Sequence, residues 1–342
     1  MAAAAAMISI SCEKQEQAVP QEEGMGYMTI KALDATLTKS DAYDENLDFE
    51  QALKNVQALV FNEEGELESL VDMGSSSRSG EIRTKVGKKT VWVVANGPDL
   101  SGVKTASDVE KTVVSLADNN KTDGFIMAGV YSSSVIMNAS TTFAVQISRL
   151  VARVALTSIT NSIPAVLGDL KVERVFLTNV VGNQNLAGTA EPSLWYNKEG
   201  RADETSRQSS HIIDGSTYKA SLPDMTYADV GQTIANGGTL TPSTPYLFYT
   251  YPNSSSTYPS GFSSTFSAQQ SVLVVVATVN GKLQYYPVVL KNGLARNTSA
   301  TVTLTILGFG GDDPNMRVDK GDLAVDVKIE NWRASTPYDE TI

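Results

Sequence analysis

The stretch SVLVVVATVNGKLQYYPVVL, residues 271–290, leaves little choice of local fold. Two runs rich in Val, Leu and Tyr flank Asn280-Gly281, and both of these residues tolerate the positive φ of a primed two-residue turn. The pattern predicts an antiparallel hairpin. Similar signals recur along the chain. NVQALVFNEEGELESLV (55–71) reads as a strand, a polar turn at Asn62–Gly65 and a second strand. KKTVWVVANGPDL (88–100) reads as a strand stopped by Asn96, Gly97 and Pro98. GYMTIKALDATLTKS (26–40) opens the series, and LKVERVFLTNV, PYLFYTYPN, TVTLTI and LAVDVKIENW continue it. In TVTLTI the threonines 301, 303 and 305 alternate with Val302, Leu304 and Ile306, the mark of a strand with one wet and one dry face. The expected class is all-β with a few short helices, as antiparallel sandwiches.

One strand pattern breaks its own period. In TTFAVQISRLVARVALTSI (141–159), Phe143, Val145 and Ile147 share one face, whereas Leu150, Ala152, Val154 and Leu156 share the other. The slip falls near Ser148. A one-residue slip turns a buried face outward unless the strand bulges or passes from one core to another. Because it lies near the middle of 342 residues, a length that suits two domains, we place a domain junction at Ile147, Ser148 and Arg149. The expected organisation is a leader over 1–26, a first sandwich over 27–147 and a second over 148–342. Arg149 and Arg153 flank Val151 and could pair with carboxylates across that junction or face solvent. Ser107 and Glu110 form a capping-box pattern for a short helix whose apolar face is Val109, Val113, Leu116 and Ala117.

Charge and composition exclude several functions. A formal net charge of -11 with no cluster of Lys or Arg argues against nucleic acid as a partner. No apolar run reaches the length of a spanning helix, so membrane attachment requires a lipid or a partner. The single cysteine, Cys12, follows a short apolar stretch ending in small residues and precedes a polar segment, an order similar to a bacterial lipoprotein signal. His211, the only histidine, lies in a polar loop without an acid or nucleophile at recognisable spacing. GFGGDDPN (308–315) lacks the Lys of a phosphate loop and the ligand spacing of a calcium loop, and reads as a turn. The acidic run DAYDENLDFE (41–50) reads as a solvated loop. No catalytic residue, metal site or cofactor is expected.

Taken in order, NVQALVFNEEGEL, VWVVANGPD, RLVARVAL, YTYPN, YYPVVLKNGLARNTSATVTLTILGFGGDDP and LAVDVKIENW resemble the fimbrillins, the type V pilus subunits of Bacteroidia. The resemblance runs from about residue 27 to 332. It implies two transthyretin-like β-sandwich domains and export as an outer-membrane lipoprotein precursor, with Cys12 as the acylated residue. It also implies proteolytic removal of the leader and first strand, and assembly into a cell-surface fimbria with adhesive function. The implied partners are other pilin subunits, joined head to tail, and a host or bacterial surface receptor. By position, cleavage falls between Lys39 and Ser40, although the family's processing protease prefers Arg and the next Arg is Arg78. The donated strand is either LAVDVKIENW, with Leu323, Val325, Val327 and Ile329 on one face, or the aliphatic-poor tail 333–342. The alternative role is a tip adhesin or lipid-anchored surface protein of the same fold.

Overall fold

The computed structural model describes residues 24–34, 47–74, 79–132, 140–198, 213–214, 217–218, 220–257, 267–290, 293–314, 318 and 321–332. The first half holds β1 (Met25–Asp34), β2 (Val56–Phe61), β3 (Leu67–Asp72), β4 (Ser79–Lys85), β5 (Thr90–Ala95), β6 (Val113–Ser115), β7 (Met127–Ser132) and β8 (Ser140–Arg149). Seven of these form one sheet in the order β3-β2-β5-β7-β8-β1-β4. The sheet curls over a core of Met28, Ile30 and Ala32 from β1, Val56, Ala58 and Val60 from β2, Val91, Val93 and Ala95 from β5, and Phe143, Val145 and Ile147 from β8. Period-2 alternation sends the intervening residues of β2 and β5 to the opposite face. There Leu59, Phe61, Trp92 and Val94 are buried as well, in a larger core shared with the second half of the chain. Burial on both faces explains why β2 and β5 read as continuous apolar runs.

β8 ends at Arg149 and β9 (Ala152–Asn161) begins three residues later in a different sheet. The face reversal in the sequence therefore coincides with a change of sheet, with Leu150 and Val151 buried at the corner. Beyond it run β10 (Leu170–Thr178), β11 (Val180–Val181), β12 (Asn183–Asn185), β13 (Trp195–Tyr196), β14 (Ile213–Asp214), β15 (Thr217–Tyr218), β16 (Tyr227–Ile234) and β17 (Thr239–Leu240). β18 (Tyr246–Thr250), β19 (Val272–Val279), β20 (Lys282–Val289), β21 (Thr298–Ile306) and β22 (Leu323–Asn331) complete the chain. Two sheets face each other here: β16-β10-β19-β20, and β17-β9-β21-β22 with β18 also paired to β9. Val172, Val175, Leu177, Leu273, Val275 and Ala277 from one meet Val154, Leu156, Phe248, Val302 and Leu304 from the other. The architecture is thus all-β, two sandwiches of the transthyretin-like kind. Two pairings are parallel, β1 with β8 and β9 with β21; every other pairing of named strands is antiparallel.

The turn signals act where the sequence placed them. Asn280 and Gly281 adopt φ of 46° and 75° in the β19–β20 hairpin. Asn96 adopts φ of 56°, and its side chain donates to the carbonyls of Ala52 (2.7 Å) and Phe125 (2.9 Å). Such left-handed positions favour Gly and Asn.

Two local readings need correction. The helix α2 (Ala106–Lys111) starts two residues earlier than the Ser107/Glu110 pattern implies: Thr105 is its N-cap and Asp108 completes the capping box. Thr105 Oγ1 accepts from the Asp108 N–H (3.2 Å), and Asp108 accepts from the Thr105 N–H (2.9 Å). The helix also stops at Lys111. Val113–Ser115 leave it to pair with Asn183–Asn185, because a sheet ladder to the second half replaces the helical bonds. Val113 is exposed in consequence, and Leu116 is buried in a separate 3-10 turn. The second correction concerns the acidic run 41–50. Its residues 41–46 lie outside the described residues, but Asp48–Gln51 form a one-turn helix, α1, and Glu50 is fully buried.

Candidate functional site: a strand bed, an edge strand and the clamp at the junction

β1 is the N-terminal strand of the described chain, and its surroundings decide what its removal would do. It is an interior strand of its sheet, parallel to β8 from Tyr27↔Ser140 to Asp34↔Ile147 and antiparallel to β4 from Met25↔Lys85 to Lys31↔Ser79. Both backbone edges are therefore paired. Met28, Ile30 and Ala32 are fully buried, while Tyr27 and Leu33 face outward. Burying three such side chains contributes about 4–7 kcal/mol at ~1.5–3 kcal/mol for each of the larger two. Without β1, β8 and β4 would present two unpaired edges beside a bare apolar bed, the liability that sheet proteins ordinarily avoid. Cys12, Lys39 and Ser40 lie outside the described residues.

β22 is an edge strand. Among the described residues it pairs only with β21, from Thr298↔Asn331 to Ile306↔Leu323. Leu323, Val327 and Ile329 pack as half-buried residues against the second sandwich's core, whereas Val325, on the same face, is 41% exposed. The core face of the strand is only partly covered. The tail 333–342 lies outside the described residues, as does His211.

The residue ending β22's run is enclosed more completely than the strand itself. Trp332 is fully buried. The guanidinium carbons of Arg149 and Arg153 lie 4.5 Å and 4.6 Å from its ring, and Tyr249 stacks on it at 6.0 Å with an interplanar angle of 22°. Phe125 meets it edge-on at 5.9 Å. A desolvated cation–π contact contributes about 2 kcal/mol. Its N–H donates to the Asn297 carbonyl (2.8 Å), and its carbonyl accepts from Asn297 Nδ2 (3.3 Å).

The arginines connect this ring to the first sandwich. Arg153 Nη1 donates to both carboxylate oxygens of Glu50, at 3.2 Å and 3.1 Å, and its Nε donates to Ser299 Oγ (2.9 Å). Both charged side chains are fully buried. Arg149 Nε donates to the Glu50 carbonyl (2.6 Å) and its Nη1 to Asn297 Oδ1 (3.3 Å). Tyr249 donates its hydroxyl to Glu50 (2.7 Å). Burial first, and then the Glu50 charge, push the Tyr249 phenol well above the ordinary tyrosine range. Both arginines are buried: Arg153 pairs with the Glu50 carboxylate, whereas Arg149 donates to the Glu50 backbone carbonyl and to Asn297. Their partner Glu50 was hidden by its acidic neighbours, and Trp332 read only as the end of a strand. A second staple lies nearby: Arg296 Nη2 donates to the carbonyls of Ala128 (2.9 Å) and Ser148 (3.0 Å) across the β7–β8 pair.

Among the described residues no group of three His, Cys, Asp or Glu could hold a metal ion, and no helix is long and apolar enough to cross a membrane. What the geometry defines is a β protein whose first described strand is paired on both edges and whose last described strand ends at a buried tryptophan. The profile of the major fimbrial subunit protein (FimA) family matches residues 27–191. That match makes residues 27–191, just under half of the chain, similar to a fimbrial subunit. No curated protein matches it. Solved structures share the fold over nearly the whole length. A fimbrilin from Porphyromonas gingivalis W83 has a TM-score of 0.64 at 15% identity, covering 92% of this chain and 99% of its own. A candidate cell adhesion protein from Bacteroides eggerthii gives 0.62 at 20% identity, covering 90% and 96%. The tip fimbrial protein Mfa3 of P. gingivalis gives 0.55 at 16%, covering 90% and 100%.

Proposed function

We propose that this chain is a polymerising fimbrial subunit whose assembly is triggered by cleavage after Lys39. Release of β1 opens the bed between β8 and β4, and the C-terminal segment of a neighbouring subunit fills it. The single observation that carries this reading is the placement of β1. It is paired on both edges and buried on one face, and Lys39 falls in sequence between its end at Asp34 and the start of α1 at Asp48. Strand addition supplies main-chain hydrogen bonds along the bed, with alternate side chains filling its pockets. A head-to-tail contact of this kind does not close on itself and gives a filament.

In this reading Cys12 is the acylated residue of the exported precursor, the domain junction is at Ile147, Ser148 and Arg149, and the filament serves adhesion to a host or bacterial receptor. The test begins with the N-terminal sequence and intact mass of the protein taken from the cell surface. A start at Ser40 without lipid supports the polymerising role. An acylated Cys12 in the dominant form overturns it in favour of an anchored or tip protein, the second reading, which the aliphatic-poor composition of residues 333–342 favours. Adhesion is tested separately, by binding of purified filaments to host cells and to other bacteria.

A further inference from the structure

We infer that Trp332 is a positioning residue for strand donation: β22 remains in its own sandwich, and the clamp of Arg149, Arg153, Tyr249 and Glu50 fixes the point from which the donated segment leaves. The inference rests on the strand-exchange reading above and chooses between the two donors that the sequence left open.

To donate β22, a subunit would have to break the nine-residue ladder with β21 and draw Trp332 out from between two guanidinium groups. It would also break the paired bonds between Trp332 and Asn297. The buried ion pair of Arg153 and Glu50 would lose the ring that shields it from water. A donor that begins after Trp332 disturbs none of these. Loss of β1 spares the clamp too, because no clamp residue lies before Leu47. Loss of β1 thus removes none of the groups that hold Trp332.

The clamp further joins donor exit and acceptor bed within one subunit. Arg149, which stacks on Trp332, is the last residue of β8, and Phe143, Val145 and Ile147 of the same strand line the bed beneath β1. Tension on a donated segment reaches Trp332, passes through Arg149 into β8, and passes through Arg153 and Glu50 into α1. Both sandwiches are held at one point, so a pull along the filament does not peel β22 away from its edge.

The experiment separates donor from acceptor. Uncleaved subunit, whose bed is filled by β1, serves only as donor; subunit cleaved after residue 39 serves as acceptor; the donor–acceptor dimer is read by SDS-resistant migration. In a Cys12→Ser background, Thr303→Cys and Asp326→Cys, directly opposite on β21 and β22, are oxidised to staple the strand in place. The stapled donor should form dimer as fast as its reduced form. Loss of dimer on oxidation, restored by reduction, would mean that β22 itself is donated and would overturn the inference. Trp332→Ala should lower dimer formation at least tenfold when placed in the donor and leave it unchanged in the acceptor, with Trp332→Phe recovering part of the loss. An equal loss in both positions would show a folding defect alone and refute the positioning role. Failure of the wild-type pair to form any dimer would instead refute strand exchange.

Discussion

Replacing Glu50 with alanine should unfold a large part of this protein's stability margin, although Glu50 lies in a stretch that reads as solvated. Arg153 is fully buried and its Nη1 meets both carboxylate oxygens, at 3.2 Å and 3.1 Å. Removing one member of such a pair leaves a charge in the interior, at a cost of about 3–5 kcal/mol. The Tyr249 hydroxyl loses its acceptor as well, which adds about 1–3 kcal/mol if no other group replaces it. The bond from Arg149 survives, because it goes to the Glu50 backbone carbonyl. A loss of at least about 3 kcal/mol is a large fraction of the ~5–15 kcal/mol typical of a domain. The assay is urea unfolding of the uncleaved protein, read by intrinsic fluorescence, with midpoint and slope fitted together. Glu63→Ala is the control, since its partner Lys88 is exposed and the pair should contribute nothing measurable. The double variant Glu50→Leu/Arg153→Met should be markedly more stable than Glu50→Ala, because it removes the stranded charge together with its partner. A Glu50→Ala midpoint within experimental error of Glu63→Ala would refute the reasoning.

Three further outcomes follow from the same geometry. In β1, Ile30→Ala should cost about 2–5 kcal/mol, while Tyr27→Ala on the outer face should cost far less; equal urea midpoints would mean that β1 is not seated as described. Gly129→Ala should destabilise by at least about 1–3 kcal/mol, because a Cβ there would stand 2.0 Å from the Gln146 carbonyl oxygen, and an unchanged thermal midpoint would contradict the close approach of β7 and β8. Burial raises the phenols of Tyr249, Tyr251 and Tyr286 above the usual value, so the folded state holds them neutral. Their contribution is complete below the unfolded tyrosine pKa of about 10 and is lost as pH rises above it toward the folded values. The urea midpoint should therefore fall steadily from about pH 9.5 upward, and Tyr249→Phe should flatten that fall; an identical slope would count against the account.

The sequence itself disclosed most of the strands, since period-2 alternation and turn chemistry act over a few residues. Asn280-Gly281 and the stop at Asn96 needed no tertiary information, because a positive φ is a property of the residue that must adopt it. The family pattern was legible for the same reason: it is a succession of such local signals. The helix start was misread because Thr105/Asp108 and Ser107/Glu110 both satisfy the capping spacing, and only the pairing of β6 with β12 shows where the chain must turn out of the helix.

Long-range partnership decided the rest. The break in alternation near Ser148 announced that something changes, but not that Arg149 and Arg153 would close around Trp332, almost two hundred residues away in sequence. Glu50 looked like one more acid in an acidic run, because a carboxylate's burial depends on the cation that folding brings to it, and no local pattern encodes that cation. Strand identity and turn position follow from local stereochemistry; the enclosure of Glu50, Arg153 and Trp332 follows from charges and rings that meet only when the two sandwiches close on each other.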